Sequence, residues 1–313
     1  MQIPTVGFER LQIGTGRAFG TFGELLQGVL GDGDLSFMVT LPISLYARAT
    51  FVPDPFNPVL SVFPPHKTKA LRLVHDLLAH FHLACGGVLT LASEIPEGKG
   101  MAGSSADLVA TVRAIESCLR IAIPTPVVHR FMRRIEPSDG VMHAGIVSFY
   151  HQEVRLREFL GSLPTLTIIG GDEGGEVDTV EFNKLPKPFT AEDKQEYQQL
   201  LDQISTAVRS GDLRTVGRVA TRSAVLNQKL CPKQTLEHFS AVCAELDGLG
   251  VVVAHSGPCL GILFSPTHID YRRQLMMACN RIRQITGNVF VYQTLSFGER
   301  PPSPPVAGIA DGC

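Results

Sequence analysis

A glycine-rich segment that leads directly into a helical pattern is the strongest constraint in this chain. Residues 96–107 read P-E-G-K-G-M-A-G-S-S-A-D, and apolar residues at helical spacing follow. Glycine lets the backbone approach a ligand closely, and the first turn of a helix offers unpaired N–H groups and partial positive charge. The segment therefore predicts a loop and a helix N-terminus that bind phosphate. The alternative is a plain helix entry capped by Ser104 or Ser105.

The composition narrows the class of protein. The chain has 313 residues, of which 44% are hydrophobic and 19% charged, so we expect a sizeable core and about two domains. A net charge of −2 argues against a non-specific nucleic-acid binder. We find neither a secretory signal nor an apolar run of membrane-spanning length, and none of the seven cysteines forms a CxxC pair. These features predict a cytoplasmic protein with free thiols and no nucleic-acid or membrane partner.

Strand and helix patterns occur in mixed order, which predicts an α+β, two-layer architecture rather than a doubly wound sheet. Strands are expected at 11–19, 38–52, 87–94, 141–149, 166–170, 250–254, 259–264 and 289–293, with a glycine-rich connection at 20–33. Helices are expected at 68–83, 108–121, 126–134, 190–210, 213–226 and 271–286, with Thr125 and Thr190 before two of them. We place the domain boundary between 163 and 164 and expect a mobile tail at 298–313, which holds four prolines.

Several motifs carry a family resemblance. Residues 96–106 resemble the second motif of the GHMP small-molecule kinases, P-x-x-x-G-L-G-S-S-A, with Met101 in place of Leu and Ala102 as an added residue or a shifted register. Residues 254–261, A-H-S-G-P-C-L-G, resemble the glycine-rich final motif of this superfamily with fewer glycines. Within the superfamily, segments 20–28, 98–107, 136–140 and 172–182 resemble the L-threonine kinases of cobalamin side-chain assembly.

The resemblance implies a fold and an activity. The fold would join an N-terminal, ribosomal-protein-S5-like ATP-binding domain (1–163) to a C-terminal, ferredoxin-like substrate domain (164–297). The activity would be ATP- and Mg²⁺-dependent phosphorylation of the side-chain hydroxyl of a small amino acid, with L-threonine first, by a monomer or homodimer. Three alternatives stay open: a kinase for a sugar, isoprenoid or natural-product alcohol, an ATP-dependent decarboxylase, and a non-catalytic nucleotide-binding member.

The same resemblance assigns the nucleotide site. The glycines would let the loop wrap the phosphates, and N–H groups of residues 103–106 would hold the β- and γ-oxygens. One hydroxyl of Ser104 and Ser105 would reach phosphate or Mg²⁺ while the other caps the helix, and Lys99 would neutralise phosphate or remain solvated. The expected nucleotide-binding residues are Pro96, Gly98, Lys99, Gly100, Met101, Ala102, Gly103, Ser104, Ser105 and Ala106.

Carboxylates supply the expected metal and catalytic groups. Mg²⁺ prefers oxygen ligands and takes one or two carboxylates, so Glu136, Asp107 and Ser105 are the metal candidates. Otherwise Asp107 would serve the helix dipole and Glu136 would be a surface group. Asp139 is expected to orient or deprotonate the acceptor hydroxyl, with an Asx-turn as the alternative. The predicted catalytic set is Asp139, Ser105 and Glu136.

The acceptor site is expected around Glu24. This carboxylate lies among apolar residues and needs a partner, which would be the ammonium of an amino acid or the side chain of Arg17. Gln27 would add a hydrogen bond. His255 and Ser256 belong to the final glycine-bearing turn, and the alternative for His255 is a satisfied loop histidine. The predicted substrate-binding set is Glu24, Gln27, Asp139, His255 and Ser256.

Overall fold

One ten-stranded sheet runs through the part of the chain that the structure describes. The computed structural model describes residues 11–175 and 185–298. The last part of the predicted segment 172–182 and residues 299–313 of the predicted tail therefore lie outside the described residues. The strands are β1 (Gly14–Val29), β2 (Ser36–Asp54), β3 (Leu60–Phe63), β4 (Gly86–Ser93), β5 (Ile146–Tyr150), β6 (Arg155–Gly161), β7 (Thr167–Asp172), β8 (Gly250–Val253), β9 (Cys259–Phe264) and β10 (Phe290–Gln293).

The sheet keeps the strands of the two halves of the chain at opposite ends and joins them where β8 pairs with β1. Its main path is β10-β7-β9-β8-β1-β2-β4-β3, and β5 pairs with both β2 and β6. Strand β3 runs parallel to β4, whereas the other pairings between these strands are antiparallel. The sheet thus continues past the predicted domain boundary at 163/164, and the boundary itself stays a prediction.

Seven helices are described, and they pack against this sheet and each other. They are α1 (Thr68–His80), α2 (Gly103–Leu119), α3 (Thr125–Arg133), α4 (Ala191–Ser210), α5 (Leu213–Asn227), α6 (Leu236–Glu245) and α7 (Tyr271–Thr286). Helix α2 approaches β1 closely because Gly16 has no side chain: a Cβ there would lie 2.2 Å from the carbonyl oxygen of Ala110. None of the described helices is long and apolar enough to span a membrane.

The prediction of a glycine-rich connection at 20–33 was wrong for residues 20–29 and holds for residues 30–33. Strand β1 continues to Val29, and its register against β2 shifts three times between Phe19 and Leu26. Gly23, at φ +53°, sits where a Cβ would come within 2.1 Å of the Val253 carbonyl oxygen. The glycines therefore permit irregular pairing and a close strand crossing instead of ending the strand. This irregular stretch carries Glu24.

Some of the predicted helix and strand boundaries are observed, and others are not. Helix α4 begins with the predicted Thr190 cap, which Asp193 completes as a capping box. Helix α3 instead starts at Thr125, after Pro124, without a side-chain cap. The predicted strand 141–149 begins at Ile146.

The sequence patterns missed β3, β6 and α6, of which β3 and β6 are short and only partly buried. The six cysteines among the described residues are free thiols.

Candidate active site

The predicted motifs meet around one cavity of about 340 Å³. The glycine-rich loop and the start of α2 form one wall, and the first residues of α1 form another. Segment 136–139, Glu24 from β1 and the final turn complete it. Most predicted site residues line the cavity: Glu24, Pro96, Gly98, Gly100, Met101, Ala102, Gly103, Ser104, Ser105, Asp107, Glu136, Asp139, His255 and Ser256.

The start of α2 differs from the predicted serine cap. Ala102 is the N-cap residue, in the left-handed conformation at φ 58°, and no side chain caps the helix. Both serine hydroxyls make other contacts, Ser104 with Glu136 and Ser105 with Asp139. The helix N-terminus is therefore left to a ligand or solvent, as an anion site requires. The N–H of Ala106 is different, because it donates to the carbonyl of Ala102 at 2.8 Å, so its predicted phosphate contact does not fit.

Two glycines bring the second and final motifs into backbone contact. A Cβ on Gly257 would lie 2.0 Å from the carbonyl oxygen of Lys99, and one on Gly100 would lie 2.7 Å from the nitrogen of Gly257. Gly100 also has φ +71°, which side-chain-bearing residues rarely adopt. Motifs that are about 150 residues apart in the chain are thus joined because neither glycine carries a side chain.

Glu136 is a buried carboxylate with two partners. Ser104 Oγ donates to one of its oxygens, and Lys69 Nζ lies 2.5 Å from the other. The side chain is only 7% exposed, so the surface-carboxylate alternative was wrong. Its neighbours leave it facing the cavity, next to the start of α2.

Asp139 and Ser105 form a pair beside the same cavity. The Asp139 amide donates to Ser105 Oγ at 3.0 Å, and that hydroxyl lies 3.5 Å from Asp139 Oδ2. Burial and the nearby charge of Glu136 raise the pKa of Asp139 to about 6, against the lowering effect of the Ser105 hydroxyl. An aspartate with this pKa accepts a proton near neutral pH more readily than a solvated one.

Glu24 is the most deeply placed carboxylate of the site. It is 2% exposed, and its Oε2 has no hydrogen-bond partner among the described residues. Burial, and then the charge of Asp139, raise its pKa well above the ordinary value. The predicted partner Arg17 is elsewhere, with its guanidinium 5.1 Å from the ring centroid of Tyr46. A cationic group in the cavity would therefore meet a carboxylate oxygen that the described residues leave unused.

A second polar pair lies behind the final turn. His255 Nδ1 is 2.5 Å from Gln27 Oε1, and the His151 ring packs edge-on against His255 at 5.0 Å between centroids. Burial, and then the charge of His151, lower the pKa of His255 well below its usual value. A neutral His255 donating from Nδ1 would fix the Gln27 amide. Gln27 itself does not line the cavity, so it acts behind the wall rather than on it.

Lys99 was expected to neutralise phosphate, and the structure places it differently. Its ammonium pairs with Asp172 at 2.7 Å and donates to the carbonyl of Gly175 at 2.9 Å. It does not line the cavity. The exposed-solvated alternative fails as well, since the side chain is 22% exposed and ion-paired.

Cations at the start of α1 were missed by the sequence reasoning. Lys67 Nζ lies 2.7 Å from Asp107 and 2.5 Å from Glu97, while Lys69 contacts Glu136. Burial is the largest influence on Asp107 and raises its pKa despite Lys67. The sequence signal for these cations is the run H-K-T-K, which stands where an amphipathic helix begins. The prediction of that helix rested on its apolar face alone.

The residues present fit a magnesium ion held together with nucleotide. No cluster of three or more His, Cys, Asp or Glu side chains suited to a metal is found in the described ranges. Mg²⁺ commonly binds to one or two carboxylates and to substrate phosphates, so no such cluster is needed. Glu136 and Asp107 both line the cavity, and Asp107 Oδ1 is buried without a partner in the described structure.

Comparison with known proteins identifies the domain. Residues 68–150 match the family described as GHMP kinases N terminal domain. This range of the chain is therefore similar to the N-terminal domain of GHMP kinases. The match spans α1, the glycine-rich loop, α2, Glu136 and Asp139, so the matched range contains most of the predicted nucleotide and catalytic residues.

Similar proteins extend the likeness over most of the chain. An L-threonine kinase of Citrobacter freundii is 26% identical over 81% of this chain and 88% of its own length. A homoserine kinase structure from Cytophaga hutchinsonii has a TM-score of 0.67 at 15% identity, covering 90% of this chain and 95% of the other. The structure titled MDDEF in complex with MVAPP, AMPPCP and magnesium has a TM-score of 0.64 at 12% identity, covering 91% and 98%.

These matches confirm three predictions. The resemblance to GHMP kinases is confirmed over residues 68–150, and the structure has the α+β fold of GHMP kinases. The enzyme class, a phosphotransferase with an alcohol group as acceptor, is confirmed with them, and the coarser function is that of a small-molecule kinase. The assignment of the cytoplasm and of a monomer or homodimer stays a prediction.

Proposed function

We propose that this protein is an ATP- and Mg²⁺-dependent kinase that converts L-threonine to O-phospho-L-threonine in the cytoplasm, as a step of cobalamin assembly. The observation that carries the proposal is the arrangement of Glu24, Asp139 and Ser105 in the cavity under the glycine-rich loop. Similarity to the Citrobacter freundii L-threonine kinase supports the choice of acceptor.

The nucleotide would bind across the loop and the start of α2. Glycines at 98, 100 and 103 leave the backbone accessible, and the uncapped N-terminus of α2 favours the negative charge of phosphate. Glu136, Asp107 and Ser105 are the groups that would hold Mg²⁺. When bound, Mg²⁺ would neutralise charge on the phosphates during transfer.

The acceptor would bind at the other end of the cavity. Glu24 supplies a buried carboxylate oxygen for its ammonium, and Ser256 and the His255 turn line the adjoining wall. An amino acid suits this lining better than an isoprenoid phosphate, for which several cations near an apolar wall would be expected. The site would reject alcohols without an ammonium because Glu24 would then stay buried and unpaired.

The phosphoryl transfer would require correct positioning of the two substrates and one proton acceptor. The threonine Oγ would attack the γ-phosphorus, the bond to the ADP oxygen would break, and Asp139 would accept the hydroxyl proton. Ser105 would keep the carboxylate in place, since one hydroxyl contacts both the Asp139 amide and its Oδ2. The raised pKa of Asp139, about 6, suits it to this exchange.

A product assay tests the proposal directly. Purified protein is incubated with Mg-ATP and, separately, L-threonine, L-serine, L-homoserine, ethanolamine, mevalonate and a sugar, and ³¹P NMR identifies each product. We expect O-phosphothreonine with the highest kcat/KM. Product only from an alcohol that is not an amino acid would overturn the acceptor, and nucleotide binding without any product would favour the non-catalytic alternative.

A further inference from the structure

The charges that line the cavity are unbalanced for a site that binds polyphosphate. Its lining includes five carboxylates, those of Glu24, Glu97, Asp107, Glu136 and Asp139, and two lysines, Lys67 and Lys69. No arginine lines the described cavity, and Lys99 is paired outside it. A nucleotide would bring several further negative charges into this cavity. Lys67 and Lys69 are the lysine side chains in the described lining that could face those charges.

Both lysines are positioned by carboxylates that the proposed function gives to the metal. Lys69 Nζ lies 2.5 Å from Glu136 Oε2, and Lys67 Nζ lies 2.7 Å from Asp107 Oδ2. The Lys67 pair connects the start of α1 to the start of α2, and the Lys69 pair connects α1 to segment 136–139, both at the cavity lining. A metal at Glu136 or Asp107 would compete with the ammonium groups for the same oxygens.

The backbone at this place also favours an anion. Helix α1 has 13 residues and begins after Lys67 without a side-chain cap hydrogen bond. Its N-terminus and that of α2 therefore face one cavity, with Thr68 and Gly103 both in the lining. Independently, Asp107 is 4% exposed, and its Oδ1, unpartnered in the described structure, belongs to the same wall.

We infer that Lys67 and Lys69 are nucleotide-binding residues that exchange partners: they hold Asp107 and Glu136 in the free protein and turn to the phosphate oxygens when Mg-nucleotide binds. This rests on the proposed function, since it assumes that the cavity takes Mg-ATP. The ion pairs hold the carboxylates in place before the metal arrives, and the exchange gives the bound polyphosphate two charge-assisted contacts.

Binding of a non-hydrolysable nucleotide tests the inference without any acceptor. Affinity for Mg-AMPPCP is measured by calorimetry for wild type, Lys67→Met, Lys69→Met, Lys69→Arg and the control Lys194→Met, which removes a similar ion pair with Asp34 outside the cavity. We expect Lys67→Met and Lys69→Met each to weaken Mg-AMPPCP binding about tenfold, because each loses one charge-assisted contact. The affinity of both variants should also depend less on salt concentration. Lys69→Arg should recover most of the affinity and Lys194→Met should match wild type.

Two further readouts separate phosphate binding from a structural role. The KM for ATP should rise in Lys67→Met and Lys69→Met while the KM for the acceptor stays within about twofold. A crystal structure with Mg-AMPPCP should show the ammonium groups within 4 Å of phosphate oxygens and away from Glu136 and Asp107. Unchanged Mg-AMPPCP affinity in both Met variants, or lysines still bound to the carboxylates in that crystal, would overturn the inference.

The binding and product assays together distinguish a failure of the proposed function from a failure of the lysine inference. If wild type binds Mg-AMPPCP but does not phosphorylate threonine, the acceptor assignment fails and the lysine result stands on the binding data. If wild type forms O-phosphothreonine and the lysine variants bind nucleotide normally, the lysine inference alone fails. If wild type binds no nucleotide, both are wrong.

Discussion

Ser105 Oγ lies 3.0 Å from the amide nitrogen of Asp139 and 3.5 Å from its Oδ2, so one hydroxyl fixes both the backbone and the carboxylate of that residue. Through this pair, the first turn of α2 sets the position of the proposed proton acceptor. The proposed nucleotide loop and the proposed acceptor site would thereby be coupled over a short distance, because Ser105 belongs to the loop motif that would bind phosphate.

Asp139→Asn should remove the proton acceptor while keeping the shape of the side chain. We expect kcat to fall about 10²- to 10⁴-fold and Mg-AMPPCP affinity to remain within about threefold of wild type. Steady-state kinetics and calorimetry on the same preparation make the comparison. Full turnover by this variant would remove the role assigned to Asp139.

The pH dependence of turnover should follow the Asp139 carboxylate. Its pKa of about 6 means that the deprotonated, proton-accepting form increases as pH rises through that value. We expect kcat, measured at saturating acceptor and Mg-ATP, to rise about tenfold per pH unit below pH 6 and to level off above it. A profile measured from pH 4.5 to 8.5 that is flat across pH 6 would contradict this.

Glu24→Gln should weaken acceptor binding and increase the stability of the protein. The KM for threonine should rise at least about tenfold, because an ammonium loses its charged partner, while the KM for ATP stays near wild type.

The stability effect of Glu24→Gln has a defined sign. An acid whose folded pKa is raised binds more protons when folded, so its contribution is favourable at low pH and is lost as pH rises above the unfolded pKa of about 4.3. The variant should therefore gain Tm relative to wild type between pH 4.5 and pH 8. An equal Tm difference at both pH values would show that Glu24 does not titrate as proposed.

Glu136→Gln should weaken the response to Mg²⁺. Replacing the carboxylate with an amide removes a charged ligand, so the Mg²⁺ concentration for half-maximal activity should rise about tenfold or more. Glu94→Gln is the matched control, because Glu94 is a partly exposed partner of Arg48 and lies outside the cavity lining. Identical Mg²⁺ titrations for both variants would exclude Glu136 as a ligand.

Gly257→Ala should separate the two motif loops. The added Cβ would meet the Lys99 carbonyl oxygen at 2.0 Å, so the backbone must shift. We expect a loss of about 1–3 kcal/mol in the free energy of unfolding by urea, together with weaker Mg-AMPPCP binding. Gly31→Ala is the control, since the nearest atom to its Cβ would be 3.9 Å away. Wild-type stability of Gly257→Ala would contradict the close contact.

Local patterns were sufficient for a large part of this protein. Helical spacing and cap residues gave α1, α4 and α7 nearly as observed, because each has a one-sided apolar pattern within the chain segment itself. The glycine-serine segment predicted the phosphate loop and the GHMP kinase resemblance. The path of β1 was missed, since glycines that permit an irregular crossing with β8 resemble, in sequence, glycines that end a strand.

The sequence by itself determined which groups line the cavity: a glycine-rich loop and the carboxylates Glu24, Glu136 and Asp139. The tertiary structure decided what each of them faces. Lys69 reaches Glu136 and Lys67 reaches Asp107 only because α1 packs beside α2, while Lys99, inside the motif, is drawn away by Asp172. Charge pairing depends on distances between segments remote in the chain, and a motif within one segment carries no record of them.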